Sequence, residues 1–162
     1  MWQERHPTLG QRLVSPVLMW LIVIAGAALA FHFVPGRALF HRTVLSVAVF
    51  ALTVVNWLYF FIGAALVHRE VTRSAVGITH LVTTGVYSKV RHPIYSADIL
   101  LAWGIFLIFP ALKFLVSAIW LTMVVAIWMK LEESALIAKF GVEYAHYKST
   151  VPGFIPRYFR RR

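Results

Sequence analysis

Residues 84–95 of this chain place ionisable and aromatic side chains directly before an apolar run, and Pro93 marks where that run begins as a helix. Proline is typical of the first helical position, because its missing N–H would have no partner there. The free N–H groups and the positive dipole end favour an anion, and Arg91 and His92 add charge and donors. The segment predicts a carboxylate or phosphate site. The alternative is structural: Arg91 is an interfacial anchor, His92 a helix cap and Tyr95 part of an aromatic belt.

A second polar pair, Glu132-Glu133, follows about forty residues later at the end of the next apolar run. Helical spacing puts Glu132 one turn after Trp128 and one turn before Leu136, so it faces an apolar surface. A carboxylate in that position requires a cationic partner. Glu133 is expected to face solvent. We interpret Glu132 as the half of the site that binds a cation.

An anion site and a cation site joined by an apolar hairpin fit a ligand that carries both a carboxylate and an ammonium group, as an amino-acid moiety does. Aromatic side chains are available to stack on a heterocycle or to cover a cation, namely Tyr87, Tyr95, Trp103 and Trp128. S-adenosylmethionine has all of these parts. A dinucleotide or a lipid headgroup also fits the same features.

The composition is that of an integral membrane protein. The 162 residues are 60% hydrophobic and 14% charged, with a mean hydropathy of +0.74, which is too apolar for a soluble domain of this size. Without cysteine, neither a disulfide nor a thiolate metal site is available, and the seven histidines lack metal-ligand spacing with carboxylates. The net charge is +10, and the basic residues flank the apolar runs. This arrangement favours anionic lipid headgroups as partners and excludes nucleic acid.

The apolar pattern predicts an all-α integral membrane protein that forms a single domain over residues 1–162. We predict four transmembrane helices, at residues 14–34, 43–67, 95–109 and 111–129. Pro110 separates the last two, which are expected to form a helical hairpin. Residues 131–147 predict a cytoplasmic amphipathic helix that lies at the membrane interface.

Lysine and arginine are distributed unequally between the two sides of the predicted membrane. Thirteen of them fall on the side of the two termini and the long loop, namely Arg5, Arg12, Arg69, Arg73, Lys89, Arg91, Lys130, Lys139, Lys148, Arg157, Arg160, Arg161 and Arg162. Only Arg37, Arg42 and Lys113 fall on the other side. This bias predicts that both termini, the segment 84–95 and the pair Glu132-Glu133 face the cytoplasm.

The run His80-Leu81-Val82-Thr83-Thr84-Gly85-Val86-Tyr87, then Arg91-His92-Pro93-Ile94-Tyr95, resembles the isoprenylcysteine carboxyl methyltransferase family. So do Glu132-Glu133, Phe140-Gly141, Glu143-Tyr144, Tyr147, Val151-Pro152 and Ile155-Pro156. The resemblance covers residues 79–156 and is specific at the level of a membrane methyltransferase superfamily that includes phospholipid methyltransferases. It implies S-adenosylmethionine as cofactor, bound by residues within 79–95 and 128–156. The implied contacts are Thr79, His80, Leu81, Val82, Tyr87, His92, Pro93, Ile94, Tyr95 and Glu132.

The chain departs from the family at one position. Family members that methylate a prenylated cysteine have an arginine one turn before the cofactor-binding glutamate, where this chain has Trp128. Arg91 is the candidate replacement. Glu133 or His80 is the candidate base for an amine acceptor. Trp128 and Asp98 are candidates for substrate binding, although Asp98 has the structural alternative of pairing with a nearby lysine or arginine.

The predicted function is therefore methyl transfer from S-adenosylmethionine to a lipophilic or membrane-embedded acceptor at the cytoplasmic face. The methyl acceptor is expected to be a membrane lipid or a lipophilic small molecule. Two alternatives stay open: a membrane reductase that uses NADPH, and a non-enzymatic lipid-binding membrane protein.

Overall fold

Helices make up nearly all of the regular structure in the computed structural model, which describes residues 15–67 and 80–155. The helices are α1 (Pro16–Phe33), α2 (Val44–Val67), α3 (Pro93–Ile108), α4 (Leu112–Phe140) and α5 (Val142–Thr150), with a short 3₁₀ helix at Gly85–Ser88 before α3. The described ranges contain no β-strand beyond one isolated bridge between Ala38 and Ala111. The predicted all-α membrane class is confirmed.

Three of the helices, α1, α2 and α4, are long and apolar enough to cross a membrane, whereas α3 is apolar but has 16 residues. The predicted spans therefore all correspond to helices, and the ends of α1, α2 and α3 lie within two residues of the prediction. Helix α4 is much longer than its predicted span, at 29 residues. At a rise of ~1.5 Å per residue it extends about 43 Å, whereas the hydrocarbon core is ~30 Å thick. Its C-terminal part must therefore project beyond the hydrocarbon.

The turn between α3 and α4 is tied to the loop between α1 and α2. Leu39 N donates to Pro110 O over 2.7 Å, and Leu112 N donates to Arg37 O over 2.9 Å. The predicted hairpin at Pro110 is thus present, and backbone hydrogen bonds join it to the first pair of helices.

The predicted amphipathic helix at 131–147 is wrong as a single element. Its first part continues α4 to Phe140, and Gly141, with a φ of 56°, ends that helix and begins α5. A left-handed residue at a helix end favours glycine, which has no Cβ to clash with the backbone. The apolar face of α5 packs inside the protein, since Tyr144 and Tyr147 are buried against Ala135 and Leu136.

The helices pack in two pairs, α1 with α4 and α2 with α3, and α3 also contacts α4. Large apolar side chains on the outer faces, such as Leu21 and Leu45, are exposed, as expected of helix faces that contact lipid. Gly104 lets α3 approach α2 closely, because a Cβ built there would lie 2.2 Å from Thr53 Oγ1.

We expect Gly104→Ala to destabilise the α2–α3 pair. Thr53 is β-branched and its hydroxyl is bonded to Phe50 O over 2.7 Å, so it cannot easily move aside. Overpacking of this kind lowers the free energy of unfolding by about 1–3 kcal/mol. Thermal unfolding in detergent micelles measures the change. Gly36→Ala is the control, since its nearest neighbour would lie 3.8 Å away. Equal stability of the two variants would contradict the close contact.

Candidate functional site

The start of α3 is held by a segment that follows α5. Pro93 occupies the first helical position, as predicted, and His92 is the N-cap residue. Arg91 N donates to Pro152 O over 2.9 Å, and His92 N donates to Gly153 O over 3.2 Å. Ser96 Oγ donates to Phe154 O over 3.0 Å. Residues 151–154 therefore act as a strap, and we use that name for them below.

Glu133 lies at the centre of an ionic cluster. Its Oε1 accepts from Arg91 Nη2 over 2.6 Å and from Arg91 Nε over 2.9 Å, and it lies 3.2 Å from His92 Nε2. Its Oε2 lies 2.8 Å from Lys148 Nζ. Donors of this kind favour the ionised carboxylate. The expectation that Glu133 faces solvent is wrong: its side chain is only 14% exposed, because α5 and the strap fold over it.

The guanidinium group of Arg91 is fully engaged within the protein. Its Nε and Nη2 bind Glu133, while Nη1 donates to the carbonyl oxygens of Lys148 and Val151. Arg91 thereby joins α4 to the end of α5 and to the strap. These contacts fix the positions of the three segments relative to one another, and no local sequence pattern predicts them.

Glu132 approaches the same histidine from the other side. Its Oε2 lies 3.9 Å from His92 Nδ1, which is within ion-pair distance but too long for a hydrogen bond. The hydroxyl of Tyr95, on the first turn of α3, interacts with the Glu132 carboxylate. The predicted meeting of the start of α3 and the C-terminal part of α4 is therefore present in the structure.

Three buried polar atoms in this region have no hydrogen-bond partner: Glu132 Oε2, Trp128 Nε1 and Tyr144 Oη. Buried polar groups in native proteins are nearly always paired, so a cluster of exceptions calls for a ligand or water. An ammonium group would satisfy Glu132 Oε2, and acceptor atoms would satisfy the indole and phenol groups. The residues present therefore fit a ligand with the mixed polarity of S-adenosylmethionine.

Tyr147 connects α5 to the 3₁₀ helix. Its hydroxyl donates to Tyr87 O over 2.6 Å. Burial raises the pKa of both tyrosines above the ordinary value, so both stay neutral at physiological pH and Tyr147 keeps the proton that it donates. Leu81 packs on the cluster that contains Tyr147 and brings the preceding loop to the same place.

The predicted site residues divide into those that converge and those that do not. Arg91, His92, Tyr95, Glu132 and Glu133 form one contiguous group.

Trp128, one turn before Glu132 on α4, is buried in a cluster that Tyr95 also packs against. Pro93 is fully buried, and Ile94 and Tyr87 pack against a different cluster, between α2 and α3. Trp103 lies deeper in α3, where its Nε1 donates to Thr122 over 3.2 Å.

Other predicted residues stand apart from the ionic cluster. His80 is exposed and Val82 is half-buried in the loop before the 3₁₀ helix. Thr79 lies outside the described residues. Asp98 lies one turn deeper in α3 than Tyr95, and its Oδ1 accepts from Trp57 Nε1 over 2.7 Å. The structural alternative for Asp98, a lysine or arginine partner, is therefore wrong in detail, since its partner is an indole.

Three residues that sequence reasoning did not single out belong to the site, namely Ser96, Tyr144 and Lys148, and a fourth, Trp57, binds the candidate residue Asp98. Tyr144 carried a signal, since it belongs to the apolar face of the predicted amphipathic helix, and Lys148 follows it by four residues and so shares its face. Trp57 and Ser96 carried none, because an apolar helix with an occasional tryptophan or serine is ordinary in a membrane protein.

The chain matches one described protein family over most of the region that builds the site. The profile of the family described as phospholipid methyltransferase matches residues 43–143, more than half of the chain. That stretch contains both ends of the predicted site, but not Lys148 or the strap.

A curated relative matches a shorter part of the chain. Methanethiol S-methyltransferase 2 of Bradyrhizobium diazoefficiens is 35% identical over 79 residues, which are 48% of this chain and 29% of the relative. The chain thus covers less than a third of that relative's length. No solved structure gives a significant match.

We expect Arg91→Gln to destabilise the protein more than Lys148→Gln. Arg91 is 11% exposed, and removing it leaves a mostly buried Glu133 charge poorly compensated, which typically costs about 3–5 kcal/mol. Lys148 is 42% exposed, so its pair contributes less than about 1 kcal/mol. Chemical unfolding in micelles followed by circular dichroism compares the two variants. Similar losses in both would show that the cluster does not depend on Arg91.

Proposed function

The chain belongs to the phospholipid methyltransferase family, and on that premise we propose that it transfers a methyl group from S-adenosylmethionine to a lipophilic acceptor at the membrane surface. The membrane methyltransferase superfamily implied by the sequence motifs is thereby confirmed. The cofactor, the acceptor and the side of the membrane are parts of the proposal.

One observation carries the proposal: Glu132 presents a buried carboxylate oxygen without a hydrogen-bond partner beside His92. We propose that this oxygen binds the ammonium group of the cofactor and that the N-terminal end of α3 faces its carboxylate. Tyr87, Tyr95 and Trp128 would pack against the rest of the molecule. When bound, the cofactor supplies a methyl group that its positive sulfur has already activated. The protein then has to orient the acceptor and exclude water.

The contacts favour a positioning role for Arg91 and Glu133 over the direct catalytic role predicted for them. Each guanidinium nitrogen of Arg91 already has a partner, and both carboxylate oxygens of Glu133 accept from cationic groups. We propose that the pair holds His92 and the strap in place and leaves Glu132 available to a ligand.

The relative's name indicates methyl transfer to a small thiol, whereas the name of the family indicates a phospholipid acceptor. Both acceptors are compatible with a site near the end of the hydrocarbon, since each partitions into or lies in the bilayer. The reductase and the non-enzymatic lipid-binding protein remain as outcomes that binding measurements separate.

We expect Glu132→Gln to weaken binding of S-adenosylhomocysteine about 10- to 100-fold, because hydrogen bonds to charged groups contribute ~1.5–3 kcal/mol. Isothermal titration of purified protein in micelles measures the affinity. Glu143→Gln is the matched control, since Glu143 is exposed on α5.

NADPH is titrated in parallel with S-adenosylhomocysteine. Binding of NADPH alone would support the reductase, and binding of neither ligand would support the lipid-binding alternative. Unchanged affinity in Glu132→Gln would remove Glu132 from the cofactor site.

We propose, from the lysine and arginine bias, that the ionic cluster faces the cytoplasm. The chain has no cysteine, so maleimide labelling of a single introduced cysteine shows on which side of the membrane that residue lies. Ser149 on α5 and Gly36 in the α1–α2 loop are both exposed and lie at opposite ends of the helices. In intact cells, a membrane-impermeant maleimide is expected to label Gly36→Cys and not Ser149→Cys, with both labelled after lysis. The reverse pattern would invert the proposed orientation.

A further inference from the structure

A buried carboxylate lies one helical turn deeper in α3 than the proposed cofactor contact Tyr95. Asp98 is 7% exposed, and Trp57 Nε1 on α2 donates to its Oδ1 over 2.7 Å. Its other oxygen, Oδ2, is buried and has no hydrogen-bond partner. We propose that Asp98 is the proton acceptor for the methyl acceptor and that Trp57 positions it. This rests on the proposed methyl transfer.

Packing alone does not explain a carboxylate at this place. Aspartate within a membrane helix is costly and, without a cationic partner, marks a functional position. Among the residues that the structure describes, no lysine or arginine comes within ion-pair distance of Asp98. An asparagine would accept the same hydrogen bond from Trp57 at lower cost. The feature that only the carboxylate provides is the second oxygen, which is free to take a proton.

Trp57 is itself held in one orientation. Its ring stacks on Phe61 with centroids 4.8 Å apart and planes 14° apart. The indole N–H therefore points at Asp98 from a fixed position and leaves Oδ2 as the oxygen available to a ligand. Positioning by a donor at the opposite oxygen is the arrangement that orients a catalytic base.

Asp98 also has a physical connection to the proposed cofactor contact. Tyr95 and Asp98 are three residues apart and share a face of α3, and Asp98 is close enough to influence Tyr95 electrostatically. Tyr95 in turn interacts with Glu132. At ~1.5 Å per residue, Asp98 lies about 9 Å along the helix from His92. A lipophilic acceptor that enters from the bilayer would reach Asp98 before it reached the ionic cluster.

Asp98 and Glu132, each with one oxygen that has no hydrogen-bond partner, determine which acceptor suits the site. An acceptor that is itself a carboxylate would meet these two groups without a free arginine among the described residues of the site, since Arg91 is engaged. A thiol, or an amine that arrives in its ammonium form, would instead offer an S–H or N–H proton to Asp98 Oδ2.

In the proposed step, the proton of the thiol or of the ammonium group passes to Asp98, and the electron pair that this frees on sulfur or nitrogen bonds to the methyl carbon. The bond from this carbon to the sulfonium sulfur breaks, and its electrons stay on sulfur. Asp98 then returns the proton to water.

The test compares Asp98→Asn with the native protein in proteoliposomes containing labelled S-adenosylmethionine. Three acceptors are offered: 1-hexanethiol, dioleoylphosphatidylethanolamine, and N-acetyl-S-farnesylcysteine as the carboxylate. We expect the native protein to methylate the thiol or the amine, and Asp98→Asn to lower that rate at least about 100-fold, as loss of a general base does. Affinity for S-adenosylhomocysteine and thermal stability are expected to stay unchanged, because asparagine keeps the bond to Trp57.

Trp57→Phe provides a second variant that does not depend on the folding of Asp98→Asn. It is expected to lower the rate about tenfold alone and to have no further effect in the Asp98→Asn background, since the two residues act as a unit. A native rate in Trp57→Phe, or at least a third of the native rate in Asp98→Asn, would overturn the proposal.

Two further outcomes also overturn it and separate it from the proposed function. Transfer only to the farnesylcysteine carboxylate, or to none of the three, rejects Asp98 as proton acceptor while cofactor binding still supports a methyltransferase. Absence of S-adenosylhomocysteine binding in the native protein would instead remove the proposed function and this inference together.

Discussion

The ion pair between Arg91 and Glu133 is the interaction on which the rest of the site depends. It joins a residue just before α3 to the C-terminal part of α4, and the same guanidinium binds the end of α5 and the strap. Helices in a bilayer gain little from burying apolar surface against one another, because lipid is as apolar as they are. Polar contacts at their ends therefore have a larger share in deciding how the helices meet.

The length of α4 explains how a membrane protein tolerates this cluster of charged side chains. Two glutamates and an arginine within the hydrocarbon would be strongly unfavourable. The 29 residues of α4 exceed the length that the hydrocarbon requires, so the C-terminal part of α4, with Glu132 and Glu133, projects beyond it, and α5 packs against that part. In the function that we propose, this position gives a polar cofactor access from water and a lipophilic acceptor access from the bilayer.

The sequence predicted the features that depend on neighbours along the chain. The helix start at Pro93, the turn at Pro110 and the direction of Glu132 all follow from spacing within one or two helical turns. Features that depend on distant segments were missed. Glu133 was expected to face solvent because helical spacing cannot show that Lys148 and the strap fold back on it. The break at Gly141 was missed because the apolar period continues through it, and a single glycine does not reveal its φ from sequence.

The replacement of the expected arginine by Trp128 changes the charge of the site rather than its shape alone. An arginine there would be a second cation beside Glu132, suited to a carboxylate acceptor. An indole offers one neutral N–H, which is buried and unpartnered in the structure. With Arg91 engaged by Glu133, the described residues of the inner part of the site present carboxylate oxygens and neutral donors. In the function that we propose, we expect such a site to discriminate between acceptors by charge, since among the described residues a buried anion beside Asp98 and Glu132 would lack the cation that its desolvation requires. Trp128 on α4 and Asp98 on α3 would then contribute to the same acceptor selectivity, although they lie on different helices.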